Sequence, residues 1–368
     1  MTDPRNTRLA KVFVEHSLNI HSRDHVVLST SDTYPEDLIG QCFKQSLQKD
    51  ADVFLDIMGF NFLLDRSSVG NFSQIFYENA NDRQIKTPPD IYKHIADWGT
   101  KFIRITSIDN YQHLANIDSR KLQSRSKSYQ DWFDTIIDKN WVLTYYPTKA
   151  MAQKSGMSLS KLFDFYFKSV LIDYDKMKRG QQKLAKRIDN GRTVHIVGEN
   201  TDLTLGIEGR TAHICAGQRN IPDGEVFTGP VEDKTDGYIY YEFPGTYTDK
   251  EISGIYLEFS KGLVTKAKSD ANEKALHTIL DTDPGAKRLG EFAFGTNYGI
   301  KNFMKETLFD EKIGGTIHTA LGHSYNDPTG WGKNVSAIHW DLVKDTRSKG
   351  SYVEIDGKKI LEDGTLLV

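Results

Sequence analysis

The chain has 368 residues, with 47 basic and 50 acidic side chains that leave a formal charge of −3 at neutral pH. That length exceeds what one ordinary core fills and points to two domains, and the near balance of charge, with no dense basic run, excludes the electrostatic footprint of a nucleic-acid or anionic-lipid binder. Two isolated cysteines, Cys42 and Cys215, read as buried thiols rather than a disulfide framework or thiolate zinc site, and no stretch nears the ~18 apolar residues of a membrane span, so the expectation is a soluble, cytoplasmic protein with a small-molecule or peptide partner.

In chain order, RLAKVFVEHSL and EDLIGQCFKQSLQ carry apolar residues at helical spacing, while HVVLSTS and ADVFLDI read as strands. Beyond Pro88 and Pro89, DIYKHIADW is helical, and KFIRITS and WVLTYYP are further strands. This alternation predicts an open α/β sheet. Two charged helices follow, SLSKLFDFYFKSVLI and YDKMKRGQQKLAKRIDNG, the second closing on Gly191 and read as a bridge between domains. From TVHIVGEN onward, short alternating runs punctuated by Gly, Asp and Pro predict a mostly antiparallel sheet, with helices at about 268 to 280 and 300 to 310. The expected fold class is α/β plus α+β, with an N-terminal open α/β domain over 1–190 and a sheet-rich domain over 191–368.

Common catalytic signatures fail: there is no HExxH, GxSxG elbow, Walker loop or GxGxxG after a strand. What remains is a set of acids and imidazoles on strands of the second half. In NIPDGEVFTGP, the turn Pro222-Asp223-Gly224 delivers Glu225 to a strand-forming run. In LGEFAFGTN, strand parity puts Glu291 on the face of Ala293 and Gly295, whose small side chains leave room. In GGTIHTALGHSY, His318 shares a face with Thr316 and Ala320, and Tyr325 falls in the loop that follows. Finally, SAIHWDLV places His339 and Asp341 together, their Cβ atoms ~6 to 7 Å apart, with Ile338, Trp340 and Leu342 on the other face. A solvated Glu, a satisfied core His, or a hydrogen-bonded His–Asp pair would account for each segment alone. Three of the 11 histidines fall between 318 and 339, however, which favours a shared site over chance placement.

At these residues the sequence resembles the thermophilic-type metallo-aminopeptidase family, of the aminopeptidase T and aminopeptidase S type. The matching segments are NIPDGEVFTGPVEDKTDG, GEFAFGTN, ETLFDEKIGGTIHTALGHSY, NVSAIHWDLV and IDGKKILEDG. The resemblance implies that 191–368 is a catalytic metal-binding domain, with metal-site groups at Glu225, Glu291, His318, Tyr325, His339 and Asp341. It also implies a homodimer and peptide substrates with a free N-terminus. Three carboxylates and two imidazoles suffice for two divalent ions (Zn, Co or Mn) ~3.5 to 4 Å apart if one carboxylate bridges. Hydrolysis by a metal-activated water is then the expected reaction, with Glu291 as general base and Tyr325 as oxyanion stabiliser.

Two other readings stay open on the residues. The scaffold also resembles a mononuclear Fe(II) dioxygenase that opens dihydroxypyridine rings, for which His318, His339 and Asp341 would form a two-histidine, one-carboxylate triad. A catalytically inactive dimeric binding protein is the third. The aromatic run GYIYYEFPGTY and Trp331 are candidates for the residues that select the substrate side chain.

Overall fold

Four β-branched runs of the first half pair side by side in one direction, as strands separated by helices must. In this computed structural model, which describes residues 3–57, 72–247, 250–325 and 332–368, the strands His25–Thr30, Asp52–Ile57, Lys101–Ser107 and Asn140–Tyr146 form a four-stranded parallel sheet. Its order is 52–57, 25–30, 101–107, 140–146. Parallel neighbours need crossover connections, and Glu36–Gln48 supplies the first, its Leu38, Ile39 and Cys42 buried. Val27, Ala96, Phe102 and Ile136 meet in a core that joins the sheet to its helices. The first helix starts at Pro4, where the Asp3 carboxylate accepts from the Arg5 N–H, and runs through Lys11 into a π-helical stretch, Val12–Ser17.

The chain divides into two compact units, residues 1–171 with 217–222 and residues 172–216 with 223–368. Residues 217–222 join the first unit because they line up beside Asn140–Tyr146: the Leu143 N–H donates to Arg219 O, and the Ile221 N–H donates to Leu143 O. The helix read as a bridge, Tyr174–Asp189, counts with the second unit. Asp173 caps it, and its buried stripe of Tyr174, Gln181, Leu184, Ala185 and Ile188 follows the helical repeat.

The second unit is built on two antiparallel sheets. The larger has eight strands in the order 263–268, 255–260, 235–241, 201–206, 193–198, 352–355, 358–362, 365–366. The smaller has five, His339–Lys344, Ile317–Gly322, Leu289–Gly295, Glu225–Thr228 and His213–Cys215, each paired with the next. Val194, Ile196, Leu203, Ile239 and Leu257 of the first share one core with Phe292, Phe294, Ile317, Trp340 and Leu342 of the second. The α/β plus α+β class is therefore what the chain adopts.

Two expected helices are shorter than the sequence suggested. Leu263–Lys268 is a strand, returned against Ile255–Ser260 through Lys261 and Gly262, both at positive φ, and the helix is confined to Glu273–Leu280. Of 300–310 only Thr307–Asp310 is helical. The Asp310 carboxylate accepts from the N–H groups of Met304 and Glu306, at 2.7 Å each, and so holds the preceding chain in a loop. Among the described residues no helix is long and apolar enough to cross a membrane.

Candidate metal centre

Period-two alternation sorts the five-stranded sheet into two faces. Val226, Phe292, Phe294, Ile317, Leu321, Trp340 and Leu342 enter the core, and the Tyr241 and Thr319 hydroxyls, 2.6 Å apart, bond between the sheets. Glu225, Glu291, His318, His339 and Asp341 take the other face. Each stands in register opposite a small residue: Glu225 opposite Gly295, His318 opposite Ala293, His339 opposite Gly322, and both Glu291 and Asp341 opposite Ala320. These small residues let acids and imidazoles from neighbouring strands converge, with Val343 on the far side of His318 and Phe227 beside Ala293.

Local structure fixes where each strand delivers its group. Ahead of Glu225, Gly224 sits at φ +140°, and a Cβ there would lie 2.7 Å from Asn297 Cβ. The Asn297 side chain donates to Asp223 O at 2.8 Å, and Gln181 on the 174–189 helix donates to Glu225 O at 3.2 Å. Gly322, at φ +100°, lets the chain leave its strand so that the His323 N–H reaches Ile338 O.

His318 Nε2 lies 3.0 Å from Glu291 Oε1 and 3.4 Å from Glu225 Oε2. His339 Nε2 lies 3.3 Å from Asp341 Oδ1 and 3.7 Å from Glu291 Oε2. Tyr325 stands at the rim, half exposed, its ring centroid 5.0 Å from that of His339 and 5.6 Å from that of Phe227. All six residues singled out in the sequence thus gather on one face. Burial is graded: Glu225, Glu291 and His318 are 8%, 4% and 1% exposed, whereas the His339 side chain is 23% exposed.

Several features fit a cation. Each imidazole is oriented by a bond from Nδ1 to a backbone carbonyl, His318 to Glu311 O at 2.9 Å and His339 to His323 O at 2.7 Å, which turns both Nε2 atoms toward the carboxylates. Glu291 Oε2 is buried and makes no hydrogen bond. Among the described residues, Glu225, Glu291 and His318 bring ligand atoms within 4.8 Å of one another, as do Cys215, Asp223 and Glu225.

The protein's own charges are strongly coupled. Burial opposes a charged imidazole, yet the hydrogen bond to Glu291 and the charge of Glu225 hold His318 up to about 9. Burial also works against His339, and Asp341 with Glu291 carries it to about 10. Asp341, which burial alone would raise, is pulled down to about 2 by His339. Burial keeps Glu291 above the usual carboxylate range against the pull of His318. Desolvation, reinforced by Glu291 and Asp341, pushes the Tyr325 phenol up, so it stays a proton donor.

Sequence reasoning missed two neighbours. Lys312 is fully buried, with its Nζ 3.2 Å from Glu225 Oε1 and in contact with the Glu311 carboxylate. Burial works against its charge, but Glu225 and Glu311 hold the ammonium well above the ordinary lysine range. Burial in turn pushes Glu311 up to about 8. Both stand in the quoted segment ETLFDEKIGG, where an acid–acid–lysine run before two glycines reads as a solvated helix end. Of the two cysteines, Cys42 is buried and Cys215 half-buried. The aromatic run GYIYYEFPGTY lies in the eight-stranded sheet and the short strand after it, with Tyr241 in the core. The aromatic beside the candidate centre is Phe227, and Trp331 lies outside the described residues.

The profile of a family described as thermophilic metalloprotease (M29) matches residues 2–365. Aminopeptidase T of Thermus aquaticus is 27% identical over 290 residues, 67% of this chain and 68% of that protein. Wild-type AmpT from Thermus thermophilus superposes with a TM-score of 0.82 at 20% identity, over 99% of both chains. The 2,5-dihydroxypyridine dioxygenase of Pseudomonas putida KT2440 does so with a TM-score of 0.61 at 13% identity, over 99% of this chain and 97% of that one. At those identities the two structures speak for the fold alone. The family profile runs nearly the length of the chain and takes in every strand that carries the acid–imidazole cluster, so the chain belongs to the thermophilic metalloprotease (M29) family.

Proposed function

We propose that this protein is a metal-dependent aminopeptidase, removing N-terminal residues from peptides at a centre of two divalent ions. The observation that carries the dinuclear reading is the position of Glu291, whose two oxygens each face a different imidazole. Behind each imidazole stands a second acid, Glu225 for His318 and Asp341 for His339. The donors divide into an inner triad, Glu225–His318–Glu291, whose ligand atoms lie within 4.8 Å of one another, and a looser outer triad, Glu291–His339–Asp341, linked through His339 Nε2 at 3.7 and 3.3 Å, with Glu291 shared. Oε1 of Glu291 bonds His318, while Oε2 is buried without a hydrogen-bond partner and faces His339 at 3.7 Å; an oxygen placed so between two imidazoles suits a shared ligand, the role we favour over proton transfer.

Divalent ions held by Glu225, Glu291, His318, His339 and Asp341 would supply an activated water and polarise the scissile carbonyl. The chain's own residues do the rest. The acids attract the α-ammonium of a peptide N-terminus. The gradient of burial, closed at Lys312 and His318 and open at His339 and Tyr325, suits a chain end better than a mid-chain loop. Tyr325, its phenol kept protonated, donates toward the oxyanion from the rim. All-oxygen-and-nitrogen triads match Zn, Co or Mn. The homodimer and the cytoplasmic setting belong to this proposal on the family resemblance.

An Fe(II) dioxygenase would use His318, His339 and Asp341 and leave Glu291, whose buried Oε2 makes no hydrogen bond, outside the centre, which disfavours it. An inactive binding protein is disfavoured because no donor is missing.

Hydrolysis of aminoacyl-p-nitroanilides tests the reading. We expect release of nitroaniline that a chelator abolishes and added Zn, Co or Mn restores, and no release when the substrate amine is acetylated. Hydrolysis that survives chelation, or that prefers the acetylated substrate, contradicts it.

A further inference from the structure

The dipeptide Glu311–Lys312 touches two members of the inner triad and none of the outer one's own residues. Its Glu311 carbonyl takes the bond from His318 Nδ1, and its Lys312 Nζ takes Glu225 Oε1. We propose that Lys312 is a positioning residue: it occupies one oxygen of Glu225, leaves Oε2 of that carboxylate for an ion, and so sets chiefly the affinity of the inner ion. The inference rests on the dinuclear reading above.

Three observations support it. Lys312 is fully buried, and a buried ammonium is tolerated only where anions and hydrogen bonds surround it; here the Glu225 carboxylate supplies the anion and Glu311 a second hydrogen bond. Both ends of the Lys312–Glu225 link are rooted in fixed backbone. Lys312 donates its N–H to Phe309 O and accepts at its carbonyl from the Asn297 N–H, while Glu225 pairs with Gly295 and takes Gln181 at its carbonyl. The free oxygen, Oε2, is the one that lies 3.4 Å from His318 Nε2. The outer triad has a different support, the His323 carbonyl on His339 Nδ1. Lys312 makes its direct contacts with the inner triad and meets Asp341 only through space, so a change at Lys312 falls chiefly on one ion.

The test is zinc titration of chelator-stripped full-length protein by competition with a chromophoric chelator, with thermal unfolding as the control for folding. In Lys312→Met, Oε1 loses its partner and the Glu225 carboxylate is free to turn. One of the two zinc ions should weaken by roughly 10- to 100-fold, the range for removal of a residue that orients a ligand, while the other changes far less. Two ions bound as in the parent protein or more tightly, or both weakened alike, overturns the proposal. If Lys312→Met does not fold, Glu311→Gln replaces it. That variant alters the second anchor of the Lys312 ammonium and lets it shift from its place on Glu225 Oε1, so the same ion should weaken, by less, and two unchanged ions overturn the proposal. Glu225→Gln separates the dinuclear centre from the role of Lys312. If it still binds two zinc ions as the parent does, the dinuclear reading itself fails; if it loses one while Lys312→Met keeps both, only the role of Lys312 fails.

Discussion

Ala320 stands opposite Glu291 on one side and Asp341 on the other, and that one methyl group explains why two acids from strands flanking its own approach the same imidazole, His339. Such positions were legible in the sequence, because strand parity alone sorts Glu291, His318, His339 and Asp341 from their apolar neighbours. Lys312 and Glu311 were not, since a lysine after two acids carries no mark of burial; only the loop held by Asp310 turns it inward. At the rim, Tyr325 contributes its hydroxyl rather than its ring to the proposed chemistry. Tyr325→Phe should lower kcat by roughly 100-fold with little change in KM, as loss of one oxyanion donor does. Steady-state kinetics on an aminoacyl-p-nitroanilide would show it, and a change confined to KM would assign Tyr325 to substrate binding instead.

At the level of elements, the site depends on the back face of its sheet. Ile338, Trp340 and Leu342 are all within the shared core, so His339 and Asp341 project from a strand that cannot roll. Trp340→Ala should cost about 3 to 5 kcal/mol in stability, read by urea unfolding. A loss below about 1 kcal/mol would mean that the strand is held by something other than its packing. Elements with a clear stripe were legible: EDLIGQCFKQSLQ is helical over its full length, 36–48. Those without one were not. Ser119–Ser128 is a helix whose only apolar residue is Leu122, and Leu263–Lys268 is an edge strand that leaves most of its residues in solvent. Neither offers a hydrophobic period to read.

For the whole molecule, the parallel-then-antiparallel architecture followed from the spacing of strands and helices, whereas the membership of residues 217–222 did not, because a short return to the edge of an earlier strand leaves no local pattern. Charge couples the site to global stability. In chelator-treated protein both imidazoles titrate above their ordinary 6.5, at about 9 for His318 and about 10 for His339. A raised pKa of this kind contributes stability that is fully present below about pH 6.5 and is lost as pH rises through 9 to 10. The unfolding midpoint of the chelated protein should therefore fall across that window. The gain from added metal should grow over the same range, since an ion must displace those protons. A midpoint independent of pH between 6.5 and 9 would contradict this charge assignment. The central claim, two ions sharing Glu291, is tested most directly by the metal content of the purified protein. Elemental analysis should find two equivalents of Zn, Co or Mn per chain, and a single equivalent of iron, with oxygen consumed during turnover, would contradict it.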